Sequence, residues 1–120
     1  VIWDLGGEKA FTQLREQYCA NASGALFVFD TTDPSSLESI DEWLNPLYSS
    51  AGKVPVVIVE NRIELESKIP RSVVESVIEK YGVDYVRTCA ENEDDALKEA
   101  FKRMISKIIE RMRERCEIPL

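Results

Sequence analysis

The sequence predicts an α/β domain with a mostly parallel sheet and helices on both faces, and three observations carry that prediction. Short β-rich runs alternate with segments of helical period, the two strongest runs are apolar throughout, and polar residues collect where each run ends. A continuous apolar run marks a strand covered on both faces, and parallel neighbours of that kind need crossover helices between them.

Taken in order, Val1–Trp3 is a first, short strand, and residues 11–22 form the weakest helix, with Phe11, Leu14 and Tyr18 only roughly on one side. Ala25–Phe29 is the first buried strand. Asp33 then supplies an N-cap and Pro34 an N1 proline, and Leu37, Ile40, Trp43, Leu44 and Leu47 make the apolar face of a single helix. Val54–Val59 is the second buried strand. Pro70 opens a helix whose stripe is Val73, Val74, Val77, Ile78 and Tyr81, and Gly82 closes it as a C′ residue. Tyr85–Thr88 is the last strand. After Asp94 and Asp95 a long helix follows, with Leu97, Phe101, Met104, Ile105, Ile108 and Met112 on its stripe and Arg111, Arg113 and Arg115 set favourably against its C-terminal dipole. Consecutive parallel strands joined this way imply right-handed crossovers. Asp4, Asp30, Glu60, Asn61 and Cys89 fall at the strands' carboxyl ends, the edge at which open parallel sheets bind ligands.

Composition narrows the function. The 120 residues hold 15 Lys and Arg against 22 Asp and Glu, so the chain carries −7 and reads as one acidic domain. Residues 96–115 alone hold seven basic residues and three glutamates, which leaves the rest more acidic still. That body repels a nucleic-acid backbone, and its few aromatic residues do not interleave with basic ones. No run approaches the roughly 20 apolar residues of a membrane span, and no signal pattern opens the chain. A cytoplasmic location is the expectation. Cys19, Cys89 and Cys116 form no C-x-x-C pair, and histidine is absent, so reduced thiols are expected and a zinc site is not. Without a secretory signal, the sequon at Asn21-Ala22-Ser23 is set aside.

Four stretches in order give a more specific reading. Trp3-Asp4-Leu5-Gly6-Gly7-Glu8 resembles the W-D-x-x-G-Q segment of the Ras-superfamily small GTPases, and Phe11, Leu14 and Tyr18 continue that spacing. Gly24 to Asp30 resembles the next strand, with Asp33 and Trp43 fitting the helix after it. Asn61-Arg62-Ile63-Glu64-Leu65 resembles the guanine-reading N-K-x-D-L, and Thr88-Cys89-Ala90 the T-S-A loop over the base. The resemblance, of Ras or Rab kind, implies a P-loop NTPase-like small G domain of three α/β/α layers that binds GTP or GDP with Mg²⁺. It also implies GTP hydrolysis, signalling or vesicle traffic, and effector and regulator proteins as partners.

The resemblance also assigns roles. Asp4 would hold Mg²⁺ through a water, and the N–H of Gly7 would reach the γ-phosphate where a side chain would block the approach. Asn61 would tie the base loops together, Arg62 and Cys89 would line the base, Glu64 would accept two N–H groups from guanine, and Ala90 would offer its N–H to the guanine carbonyl.

Several positions depart from the pattern. Glu8 replaces the glutamine that orients the attacking water and would face an anionic phosphate, so slow hydrolysis is expected. Glu64 is one methylene longer than aspartate, Arg62 replaces a lysine, and Glu91 replaces a lysine of the last loop, each weakening guanine binding. The largest departure is the missing G-x-x-x-x-G-K-[ST], since Gly52-Lys53 lacks both the upstream glycine and the following hydroxyl. Residues 1–120 are therefore expected to be a partial G domain, roughly the C-terminal two-thirds, without the central phosphate-loop strand. Losing about four charge-assisted phosphate bonds of roughly 1.5–3 kcal/mol each would weaken nucleotide binding on the order of 10⁴-fold or more.

A second reading is a pseudo-GTPase that keeps the fold as a protein-interaction module; Glu8, Arg62, Glu64 and Glu91 favour it. A receiver-type α/β domain does not explain Asn61–Leu65 following Asp4–Gly7 at this interval. Cys116 stands one residue too far from the end for C-a-a-X prenylation, and is read as a plain thiol. The basic stretch 107–115 leaves peripheral membrane association open as an expectation.

Overall fold

Burial places Val56–Asn61 at the centre of the fold, because among the described residues it is the one stretch in which five consecutive residues are shut from solvent. A computed structural model of the chain describes residues 19–89 and 91–114. Their elements run β1 (Ala25–Asp30), α1 (Pro34–Glu38), α2 (Ile40–Ala51), β2 (Val56–Asn61), α3 (Arg71–Tyr81), β3 (Asp84–Arg87) and α4 (Glu93–Glu114). The sheet has the order β1-β2-β3, and both pairings are parallel. The register sets Phe29 against Glu60, Asp30 against Asn61, and Glu60 against Arg87.

Alternation along the strands sorts side chains onto two faces. Phe27, Phe29, Val56 and Ile58 pack with Leu37, Ile40, Leu44 and Leu47 of α1 and α2 and with Val74 and Tyr81 of α3. Val57, Val59 and Val86 meet Ala96 and Ala100 of α4 on the opposite face. Three layers result, as the sequence predicts. Fully burying each Val, Leu or Ile contributes roughly 1.5–3 kcal/mol relative to leaving it exposed.

Small residues decide how closely α4 approaches. Ala96 and Ala100 are buried where larger side chains would hold the helix off the valines beneath. A Cβ on Gly24 would come within 3.0 Å of both Met104 Cγ and Ile108 Cδ1. Gly82 ends α3 at φ +62 in the left-handed region, donating its N–H to the Ile78 carbonyl at 2.8 Å, the closure expected of a C′ glycine.

The structure corrects four elements, the first being β1, which runs one residue past the expected Phe29 to Asp30. The single helix expected from Pro34 to Leu47 is two, parted at Ser39, whose hydroxyl donates to the Ser36 carbonyl at 3.1 Å while Ser36 donates to Asp33 O at 2.6 Å. Serine hydroxyls that bond the nearby backbone compete with helical continuation. The strand expected over Val54–Val59 starts at Val56, since Pro55 has no N–H and the Val54 N–H turns back to Gly52 O at 2.8 Å. It also runs on through Glu60 and Asn61. The last strand covers Asp84–Arg87 rather than 85–88, although the Thr88 N–H still reaches Glu60 O at 2.8 Å. The long helix forms over Glu93–Glu114, Arg115 lying outside the described residues, but Ile105 is 51% exposed, off the buried stripe. The strand expected at Val1–Trp3 and most of the helix over 11–22 lie outside the described residues; Cys19 is buried in the larger core. No helix among the described residues is long and apolar enough to cross a membrane.

Candidate nucleotide-binding edge

The carboxyl ends of β1, β2 and β3 lead into three neighbouring turns, and hydrogen bonds between those turns build the edge. After β1, the Thr31 N–H donates to Asn61 O at 3.1 Å, and Thr31 O accepts the Lys68 N–H at 2.8 Å. After β2, the Ile63 N–H donates to Thr88 O at 3.3 Å, which fastens the turn following β2 to the turn following β3. These contacts exist because adjacent parallel strands end level with one another.

Of the residues the sequence nominates, Asn61, Arg62, Glu64, Cys89 and Glu91 are described, whereas Asp4, Gly7, Glu8 and Ala90 lie outside the described residues. Asn61 ends β2, and its Oδ1 accepts the Arg62 N–H at 2.9 Å. Arg62 has φ 63, the left-handed region that costs a non-glycine residue roughly 1–2 kcal/mol. Its Nε lies 3.6 Å from Asp30 Oδ2. Glu64 is exposed in the turn that closes with the Leu65 N–H donating to Arg62 O at 3.0 Å. Cys89 follows β3, and its N–H donates to Asn92 Oδ1 at 2.7 Å, with Sγ 3.2 Å from the same oxygen. Glu91 is exposed just ahead of the acidic first turn of α4, where Glu93, Asp94 and Asp95 suit the positive end of the helix dipole. The Ile63–Thr88 bond thus fastens the turn that carries Asn61, Arg62 and Glu64 to the end of β3, which Cys89 follows.

Asp30 titrates below its ordinary 3.8: burial pushes the carboxyl up, but hydrogen bonds from the Thr32 N–H and hydroxyl, together with the Arg62 charge, outweigh it. Those bonds measure 2.8 and 2.7 Å to Oδ1.

The sequence reading missed a buried cluster under this edge. The Glu60 side chain is fully shut from solvent, and its carboxylate accepts from Thr31 Oγ1 at 2.8 Å, Arg71 Nη1 at 3.0 Å and the Tyr85 hydroxyl, with Arg87 Nε at 3.3 Å. Burial foremost, then Glu60, raises the Tyr85 hydroxyl above the ordinary tyrosine value of 10.0. The available signal was a glutamate continuing a fully apolar run; its partners depend on register. Asn92, which holds the Cys89 turn, was also unflagged.

Chemically, the edge offers the side-chain amide of Asn61, the guanidinium of Arg62 and the exposed carboxylate of Glu64 on the turn after β2, and the exposed carboxylate of Glu91 after β3. Those groups suit the polar rim of a purine base. Among the described residues no three acidic, cysteine or histidine side chains converge as a metal site. Two shallow hollows among the described residues, one along Ser72, Val73, Ser76, Val77 and Lys80 and one among Tyr48, Lys53, Lys80 and Tyr81, include none of the nominated residues.

Comparison with known proteins decides the family. The Ras family model matches residues 1–110. This chain belongs to the Ras family. Similar proteins include Ras-related protein Rab-5B of Plasmodium falciparum (isolate 3D7), 26% identical over 94% of this chain and 55% of its own length. Ras-related protein Rab-7b of Mus musculus is 28% identical over 90% of this chain and 56% of its own length. Ras-related protein Rab-21 of Homo sapiens is 30% identical over 92% of this chain and 50% of its own length. The chain spans about half the length of the curated relatives it matches. With the parallel sheet and three layers, this Ras-family chain has the α/β architecture its sequence predicts.

Proposed function

We propose that this chain carries the base-reading part of a guanine-nucleotide switch of Rab kind. The observation that supports the reading most is the Ile63 N–H to Thr88 O bond, which sets the Asn61–Leu65 turn against Thr88 at the end of β3. In this reading Asn61 joins the two turns, the stem of Arg62 lies along the base beside Cys89, and Glu64 accepts two N–H groups from guanine. Adenine lacks that pair of donors, so a carboxylate at this place selects guanine over adenine. Ala90 contributes its backbone N–H to the guanine carbonyl.

The described residues fit the base of GTP or GDP. Mg²⁺ would fall to Asp4 and the γ-phosphate to Gly7, and Glu8 would replace the water-orienting glutamine, so hydrolysis by the switch would be slow. Nucleotide state would be read by effector and regulator proteins, at cytoplasmic or peripheral-membrane sites such as those of vesicle traffic. The pseudo-GTPase alternative draws on one specific observation: the Arg62 guanidinium leans on Asp30 rather than standing free for the base.

Titration with fluorescent GDP tests the proposal. The isolated 120-residue chain is expected to show no saturable binding at micromolar nucleotide, for want of a phosphate cradle. The chain extended by the sequence preceding Val1 in its gene is expected to bind GDP and GTP in preference to ATP, and Glu64→Ala to erase that preference. Tight ATP binding by the extended chain defeats the assignment of Glu64; absence of any nucleotide binding by it favours the interaction module.

A further inference from the structure

We infer that Glu60 is a positioning residue that sets the three turns of the candidate base site relative to one another. Its carboxylate is fully buried, and each of its partners comes from a segment that leads into or out of those turns. Thr31 begins the turn after β1. Arg71 opens α3 and so ends the segment that starts at Arg62. Tyr85 and Arg87 belong to β3, which delivers Thr88 and Cys89. The backbone repeats the pattern: Glu60 O takes the Thr88 N–H at 2.8 Å, while the neighbouring Asn61 O takes the Thr31 N–H at 3.1 Å.

A buried carboxylate is stable only when hydrogen-bonded and paired, so it enforces the arrangement of the donors that satisfy it. An apolar side chain at this place would fill the space without fixing where Thr31, Arg71 and Arg87 stand. Both arginines are about half exposed, 46% and 49%, so they can hydrate if the carboxylate is neutralised. Loss of the charge should therefore loosen the turns without unfolding the sheet. That the loosened turns are the base-reading ones rests on the guanine-nucleotide reading.

Residue-resolved amide hydrogen exchange on the 120-residue chain tests the inference without nucleotide. Glu60→Gln keeps the shape and removes the charge. It should speed exchange at Thr31, Ile63, Lys68 and Thr88 about tenfold more than at Ile58 and Val59 in mid-strand, because local opening precedes global unfolding. Val74→Ala, a core truncation, should speed all six alike. Equal acceleration by Glu60→Gln at all six overturns the inference. If Glu60→Gln does not fold, Thr31→Val removes one neutral donor, and faster exchange at residue 31 and Lys68 with Thr88 unchanged supports the role, while no local change overturns it. In the upstream-extended chain, Glu60→Gln should weaken GDP about tenfold where Val74→Ala does not. Loosened turns in an extended chain that ignores guanine nucleotides would keep the role of Glu60 and defeat the proposed function alone.

Discussion

The two faces of the sheet are built to different standards. On the face beneath α1, α2 and α3, thirteen buried residues among those described form one apolar cluster, including Phe29, Leu44 and Val74 at 1% exposure. On the other, five buried residues, two of them alanines, carry α4, and Val28, Ile105 and Ile109 remain open among the described residues. Large interlocking side chains make the first face the main source of stability, since cost on truncation follows the volume removed and the cavity left. The second face depends on close approach by small residues, so it should tolerate truncation and resist enlargement.

Leu44→Ala is expected to destabilise the chain most, by about 2–5 kcal/mol, read from the urea midpoint at constant slope. On the opposite face Ala100→Leu should cost about 1–3 kcal/mol by pushing α4 off Val57 and Val59; a neutral result would mean that the alanine contact is not tight. Gly82→Ala strains the left-handed closure of α3 and should cost roughly 1–2 kcal/mol. Ile105→Ala should change stability by no more than about 0.5 kcal/mol, as for other exposed positions; a loss near that of Leu44→Ala would erase the contrast between faces.

The smallest effect concerns pH. Asp30 has a folded pKa below its ordinary 3.8, so its stabilising contribution is present above that value and lost as pH falls through the lowered one. Asp30→Asn should therefore lower the neutral plateau slightly and flatten part of the acid limb, so that its stability curve meets that of the parent below the lowered pKa.

Legibility differed between these regions for a physical reason. The stripe Leu37, Ile40, Leu44 and Leu47 was readable because apolar period reports a buried face directly. The same stripe gave no sign of the break at Ser39, which is set by hydroxyls bonding backone groups of their own turn. On α4 the stripe included Ile105, which is exposed, and omitted Ala96 and Ala100, which are buried. Periodicity weights large apolar residues, whereas a close helix-to-sheet contact selects small ones. At the candidate site, Asn61, Arg62, Glu64 and Cys89 were legible as a motif, but the left-handed Arg62 and the donors around Glu60 were not.

By itself the sequence determined the order of the three described strands, the capping residues Asp33 and Gly82, and the family to which the chain belongs, because those are local or ordered properties of the chain. Only the tertiary structure decided that Glu60 meets Thr31, Arg71, Tyr85 and Arg87, and that Ile63 reaches Thr88. Strand register creates those meetings, and register is fixed by which faces the neighbouring strands must bury together.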